Sequence, residues 1–264
     1  MPIVDGPPPR SALLAAWGSA WLAGDAGLPE LVGQVTTYDD SAVVTGLGPD
    51  PLALDKAVAR LRAAGVTRMR LVLPAPGDVL GLPAPGPFTR AALEATEAVL
   101  ALRPDGTGSG LVPTLTAHGS PYDGTVTTVT WTAYPVTMSS PDPGPFLPEA
   151  EHDLRRGVVE AAQRLRDLDV ARWRPDVAGA LQDLRRQARA GIDEDELPSG
   201  YPPRARQVLV QARQLSGVLA LAGEDSGGAV DTREAAERDV TLRDLGRLVR
   251  RARVAAYNAY GQPT

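Results

Sequence analysis

Near Pro141-Asp142-Pro143-Gly144-Pro145 the hydrophobic pattern of this chain changes period, and that change limits the folds open to it. Upstream, Val129, Trp131 and Ala133 alternate with Thr128, Thr130 and Thr132, the period of a strand with one buried face. Downstream, Leu154, Val158, Ala161, Leu165 and Leu168 step by four and three residues, the stripe of an amphipathic helix. A chain that switches period in this way needs two kinds of core. The expected class is α+β / α/β: a mixed β-sheet module with helices over residues 11–138, followed by an α-helical module over residues 148–258.

Within the first module the elements alternate. Ser11 is placed to cap a helix carrying Leu14, Trp17 and Trp21, with Gly24 as a left-handed stop. Ser41 to Gly46 reads as a short strand, then Asp50 as an N-cap and Pro51 as the first residue of a helix with Leu54, Val58 and Leu61 on its apolar face. Gly65 ends that helix and Met69 to Leu73 reads as a strand, so the spacing predicts a parallel crossover. Thr89 is placed to cap a further helix running to Leu102, with Phe88 stapled to Leu93. Leu111–Ala117 and Val126–Val136 are the last two strands. The turn-forming segment between them, His118 to Gly124, predicts an antiparallel pair and hence a mixed sheet.

The second module offers four helical stripes. The first begins at Leu154 and the second follows Pro175 with Val177, Leu181, Leu184 and Ala188. The third follows Pro202-Pro203 with Leu209, Ala212, Leu215, Leu219 and Ala222. The fourth starts from the Asp231/Glu234 capping box and carries Leu242, Leu245, Val249 and Ala252.

Charge and cysteine content narrow the function. The chain has no cysteine, which excludes disulfides, thiolate metal ligands and a cysteine nucleophile. The net charge is −5; eight basic and 13 acidic residues precede Pro148, and 19 of each lie beyond it. A nucleic-acid-binding domain is usually basic, so nucleic acid is a disfavoured partner. The first residues lack the basic and apolar regions of a signal peptide, and no stretch reaches the roughly 18 apolar residues of a membrane span. A cytoplasmic protein without membrane contact is expected.

In open α/β sheets ligands gather beyond the carboxyl ends of strands, and three segments are expected there. Thr45-Gly46-Leu47-Gly48-Pro49-Asp50 is a glycine-bearing turn toward a helix and a candidate phosphate cradle through Gly46 and Gly48, although the third glycine of the dinucleotide fingerprint is missing. The loop from Pro74 to Pro87 carries a single charge, Asp78, a candidate base or a turn cap. His118, with Ser120, Tyr122 and Asp123, holds the raw materials of acyl transfer but lacks a nucleophile elbow. His152 sits among Glu149, Glu151 and Asp153 as a solvated cation; the two histidines are too far apart for a zinc centre, and Asp193 to Glu196 lacks calcium-loop spacing, so no metal and no cofactor are expected. Tyr201, in Gly200-Tyr201-Pro202-Pro203, either pins its loop by burial or presents a ring to a partner. Arg243, Arg247 and Arg250 share one side of the last helix, interrupted by Asp239 and Asp244 at pairing distance.

Through Arg70-Leu71-Val72-Leu73-Pro74, Val170-Ala171-Arg172-Trp173-Arg174-Pro175 and Gly200-Tyr201-Pro202-Pro203-Arg204, the chain resembles uncharacterised conserved proteins of high-G+C actinobacteria over nearly its whole length. The resemblance implies a cytoplasmic location and transfers no catalytic residue. The favoured function is noncatalytic, a protein-interaction or small-ligand-sensing role, with an unidentified protein or small molecule as partner. One alternative is an enzyme for a small phosphorylated or carbonyl substrate using the Gly46–Asp50 turn, Asp78 and His118, which requires those groups within roughly 10 Å of one another. The other is nucleic-acid binding through the arginine face.

Overall fold

The computed structural model describes residues 8–79, 81–120, 124–138, 144–167, 196–224 and 232–262. They form two compact units. One holds the described residues up to Gly144, together with residues 196–201 and 260–262; the other holds the described residues of 145–193 and 202–259.

The first unit is a six-stranded mixed sheet. Its strands are β1 (Ser41–Thr45), β2 (Leu52–Ala53), β3 (Arg68–Val72), β4 (Ala98–Leu102), β5 (Thr107–Ser120) and β6 (Gly124–Thr137), in the order β2-β1-β6-β5-β4-β3. Only the β1–β6 pair is parallel; the others are antiparallel. The helices of this unit are α1 (Arg10–Ala23), α2 (Leu28–Val35), α3 (Leu54–Ala63) and α4 (Pro87–Ala95).

Period two divides the sheet into two faces. On one lie Met69, Leu71, Val99, Ala101, Leu111, Trp131 and Val44, all buried. Helix α1 packs here: a side chain at Gly18 would collide with Met69, and Ser19 Oγ donates to the Met69 carbonyl at 2.8 Å. The α1 sequence is apolar nearly all round, and ten of its 14 residues are buried, as an all-round apolar helix must be. Its N-terminus is fixed from the sheet side, where Glu97 Oε2 accepts the Ser11 backbone N–H at 2.8 Å. Arg10 adds a two-point pair to Asp39, at 2.9 and 3.3 Å. Arg62 of α3 lies 5.0 Å above the Trp21 ring of α1.

On the other face α4 covers Val72, Leu100, Leu102, Val112 and Val136. Its anchor is Phe88, whose ring occupies the space a side chain at Gly110 would need and tilts against Tyr134 at 6.3 Å. The tight β4–β5 turn is held by Asp105, whose carboxylate accepts the Thr107 hydroxyl at 2.7 Å and its N–H at 2.9 Å. Those bonds hold the Asp105 carboxyl below the usual range.

Several expectations are corrected. β1 and β3 form no parallel crossover: they lie four strand positions apart, and the parallel partner of β1 is β6. Asp50 and Pro51 do not start a helix; Leu52 and Ala53 add a short antiparallel strand to β1 before α3 begins at Leu54. The helix expected from Phe88 to Leu102 ends at Ala95, where Thr96 turns left-handed (φ 59°), and Ala98–Leu102 is a strand buried at all five residues. A short run that is apolar at every position has no period to separate helix from strand. Thr89 does not cap α4, which opens on Gly86 and Pro87; its hydroxyl donates to the Ala84 carbonyl at 3.1 Å. Ser11 lies inside α1 rather than capping it. Helix α2 was not anticipated, although Pro29 in its first turn and Glu30, which accepts the Gly27 N–H at 3.3 Å, are start signals.

The second unit contains α5 (Leu147–Asp167), α6 (Pro203–Glu224) and α7 (Thr232–Tyr257). The helix expected after Pro175, with Trp173 before it, lies outside the described residues, as does Asp231. Leu154, Ala161, Leu209, Ala212, Leu245, Val249 and Ala252 are buried, so members of three of the four predicted stripes lie in the core. Gly157 lets α5 approach α7, since a side chain there would collide with Leu248. Arg238, itself buried, donates at 2.6 Å to the Ala222 carbonyl near the end of α6, where carbonyls lack helical partners. Glu151, buried on α5, accepts from Arg155 and from Arg204 of α6, the latter at 2.6 Å.

Candidate functional site

The Gly46 turn lies far from the other two segments expected to converge with it at one sheet end. Gly46 is fixed by packing: its φ is 82°, and a side chain there would meet the Ala133 carbonyl oxygen at 2.5 Å. Gly48 lies under the Arg60 guanidinium, where an added Cβ would approach Nη1 at 2.6 Å. The turn leads into β2, so the helix N-terminus that a phosphate cradle would use is not there. His118 is within β5, opposite Val126, rather than in a linker. Along β6, Val126 and Ala133 are seven residues apart, about 23 Å at the rise of a strand. Asp78 follows β3, four strand spacings from β1, or about 19 Å across the sheet.

Asp78 is buried in a tight turn over Pro76 and Gly77, with Ala75 and Asp78 exchanging backbone hydrogen bonds of 2.8 and 3.0 Å. Gly77 has φ 79°, the conformation this turn demands. Ser120 stands opposite Gly124 at the end of the ladder, and Tyr122 and Asp123 lie outside the described residues. Among the described residues, no group of three or more histidine, aspartate or glutamate residues suits a metal ion.

Tyr201 is buried rather than presented. Its ring meets that of Tyr260 at 5.4 Å, and the Tyr260 hydroxyl bonds to the Asp25 carboxylate just beyond α1. Burial pushes the Tyr201 phenol up, and burial with the Asp25 carboxylate raises Tyr260 to about 12. The chain leaves the sheet-bearing unit after Tyr201 and re-enters it at Tyr260.

On α7, Arg243 Nε donates to the Asp239 carbonyl at 3.1 Å and Arg247 pairs with Asp244 at 2.8 Å. Arg250 is half-buried. Arg247 is thus engaged with an aspartate of its own helix and Arg243 with one of its backbone carbonyls. His152 is exposed.

A different feature stands out, one that carries no chemical motif. β5 and β6 are each 14 residues long, whereas β4 pairs with β5 only from Gly108 to Leu111, and β1 pairs with β6 only from Thr128 to Thr132. The far end of the hairpin thus outruns its neighbours as a two-stranded arm. Thr114, Leu115, Thr116 and Ala117 are exposed along it, with Leu115 46% and Val126 50% accessible. Neither strand of the hairpin contains Asp, Glu, Lys or Arg, in a chain of which 22% is charged. That absence of charge was the available signal. Alternation of Thr with Val drew attention to one buried face and away from the length of the strands.

Residues 11–146 match the model of the Rv1486c-like protein N-terminal domain, and residues 148–254 match that of the Rv1486c-like protein C-terminal domain. Among relatives, uncharacterized protein Rv1486c of Mycobacterium tuberculosis (strain ATCC 25618 / H37Rv) is 31% identical over 285 residues, covering 94% of this chain and 96% of its own length. Uncharacterized protein ML1804 of Mycobacterium leprae (strain TN) is 27% identical over 295 residues, with the same coverage. No solved structure matches the chain. The resemblance to uncharacterised actinobacterial proteins therefore holds, and the chain belongs to the Rv1486c-like family.

Proposed function

We propose that this protein is a noncatalytic protein-interaction module of the cytoplasm, and that the β5–β6 arm is the surface that meets its partner. The observation that carries this reading is the arm itself: an uncharged two-stranded ribbon with Leu115 and Val126 exposed. Leu115 and Val126 lie on opposite faces of the ribbon, so the reading rests on its uncharged strand edge past Leu111, whose backbone groups a partner's strand can meet. The separation of Gly46 from Asp78 and from His118 supports the same reading, because the proposed enzyme needs all three groups in one pocket. A cysteine-free chain of this length, able to build its core without disulfides, suits a reducing compartment. No helix among the described residues is long and apolar enough to cross a membrane.

The test is affinity capture from cell extract with the full chain as bait, wild type beside the double variant Leu115→Lys, Val126→Lys. The expected result is a specific co-purifying protein depleted about tenfold with the variant, equivalent to a loss of about 1.4 kcal/mol. Equal capture by both forms would sink the arm as the interaction surface. A small phosphorylated metabolite that raises the melting temperature, with the rise lost in Asp78→Ala, would overturn the noncatalytic reading in favour of a pocket.

A further inference from the structure

The sheet-bearing unit is assembled from segments that lie far apart in the sequence. Besides the described residues up to Gly144, it holds residues 196–201 and 260–262. In the first of these late segments Leu197 and Tyr201 are buried, and the second begins with Tyr260, whose ring meets that of Tyr201 at 5.4 Å. Gly200, with φ 92°, sets the turn that brings the two together. A side chain at Gly200 would be strained and would stand 3.6 Å from the Tyr260 ring, so the backbone of one segment runs close to the ring of the other. The third partner is placed by α1. Gly24 turns left-handed, and the Asp25 N–H donates to the Ala20 carbonyl at 2.9 Å. That helix stop fixes the position at which the Asp25 carboxylate accepts the Tyr260 hydroxyl. A carboxylate at a helix C-terminus faces the negative end of the helix dipole, and the phenol's hydrogen bond offsets that repulsion.

The same two tyrosines adjoin the ends of two helices. α6 begins at Pro203, just after Tyr201, and α7 ends at Tyr257, just before Tyr260. The two helices pack on each other, and Arg238 near the start of α7 donates to the Ala222 carbonyl near the end of α6, so they run antiparallel. The start of α6 and the end of α7 therefore lie at the same end of the pair. We infer that Tyr201, Tyr260 and Asp25 form a clasp that holds these two helix ends as one cooperative element, so that residues 196–201 and 260–262 leave the sheet-bearing unit together or not at all. The clasp is independent of the β5–β6 arm. Ring packing carries most of it, because the Tyr260 hydrogen bond is exposed and water competes for it. A tilted ring pair adds about twofold to tenfold to a closing equilibrium beyond the area it buries. When either segment lifts away, the ring of the other loses its cover, and shared cover of this kind makes local opening cooperative. A shift that parts the two helix ends must break the clasp, and an open clasp frees both ends.

Two amides beside the clasp report on it separately. The Ala205 N–H donates to the Pro202 carbonyl at 2.9 Å where α6 begins, and the Ala259 N–H donates to the Ala256 carbonyl at 3.2 Å where α7 ends. The test is residue-resolved hydrogen exchange of the full chain. In Tyr260→Ala both amides should exchange faster by a common factor of about tenfold or more, although they belong to different helices. Tyr201→Ala should have the same effect from the other segment. Tyr260→Phe keeps the ring and removes only the hydroxyl, so both rates should rise by about threefold or less. The Trp131 amide, in the paired part of the sheet, should keep its protection in every variant. Should the alanine variants fail to fold, Tyr260→Leu keeps apolar bulk without the ring, and a smaller common factor is expected. Faster exchange at Ala259 with Ala205 unchanged would show that the two segments are pinned independently and would overturn the clasp. Unchanged rates at both amides would overturn it as well, because the rings would then hold neither helix end. Equal loss of protection at Ala205, Ala259 and Trp131 would mean that the sheet-bearing unit opens as a whole, and no separate clasp exists.

Discussion

The two halves of the β5–β6 hairpin share strands, composition and turn, yet one half is core and the other is surface. In the half beside β4, Leu111 and Trp131 are buried to 1% and 0% accessibility. A few residues along the same strands, Leu115 and Val126 are about half exposed. Nothing in the side chains makes this difference. β4 is five residues long and pairs with β5 only as far as Leu111, so beyond it the hairpin loses its cover on one flank. Burial here is a property of the neighbours, which is why β-propensity reads as fit to a packed surface and not as an intrinsic preference.

The largest expected effect tests that contrast directly. Trp131→Ala should destabilise the first unit by about 3–5 kcal/mol, whereas Leu115→Ala, at an exposed site, should stay within about 0.5 kcal/mol. Urea unfolding of both variants measures the pair, with the midpoint shifting at constant slope. A Leu115→Ala cost approaching that of Trp131→Ala would break the comparison, because it would mean that the arm is packed in solution.

Second in size is Gly110→Ala. The added methyl would overlap the Phe88 ring, which is held between the sheet and Tyr134 and has little room to retreat. Overpacking of this kind costs about 1–3 kcal/mol, read as a lowered melting temperature. Phe88→Leu on the same background should recover part of the loss by shrinking the obstructing group. Failure to recover would show that the cost comes from the strand backbone and not from the α4 contact.

How much of this was legible in the residues follows from what each signal depends on. The antiparallel pairing of the hairpin, the left-handed turn at Gly65 and the helices α5, α6 and α7 depend on local sequence, and they formed as read. β4 did not, since Ala98-Val99-Leu100-Ala101-Leu102 is apolar at every position and its state is decided by the strands on either side. Strand, helix and strand in succession do not fix adjacency, so no parallel crossover forms; β1 finds its parallel partner in β6, each residue pairing with one 87 positions downstream. The candidate site fared similarly. Gly46, Gly77 and Asp78 were recognisable as special, but their reasons are a close carbonyl and a tight turn, and their spacing in three dimensions is set by strand order, which no single segment encodes.

The smallest expected effect lies at the boundary between the halves, where the arm parts from β1. There Asp40 holds Thr127 twice: its backbone N–H donates to the Thr127 carbonyl at 2.9 Å, and its carboxylate accepts the Thr127 N–H at 2.6 Å. The side-chain bond takes over from the ladder after its last pair, Ser41 with Thr128. Asp40→Ala removes that bond at an exposed site, so water can replace the lost acceptor and the global cost should be about 0.5–1.5 kcal/mol or less. The local effect should be clearer than the global one. Opening of the arm no longer has to break the carboxylate bond, so the Thr127 amide should exchange with solvent about threefold to tenfold faster, following that free energy. The amide of Trp131, deep in the paired half, should keep its protection. If both amides lose protection equally, the hairpin opens as one piece, and the division into core and arm describes the cover over the strands without describing how they move. If only Thr127 responds, the boundary drawn by the length of β1 is also the point at which the arm comes free to pair.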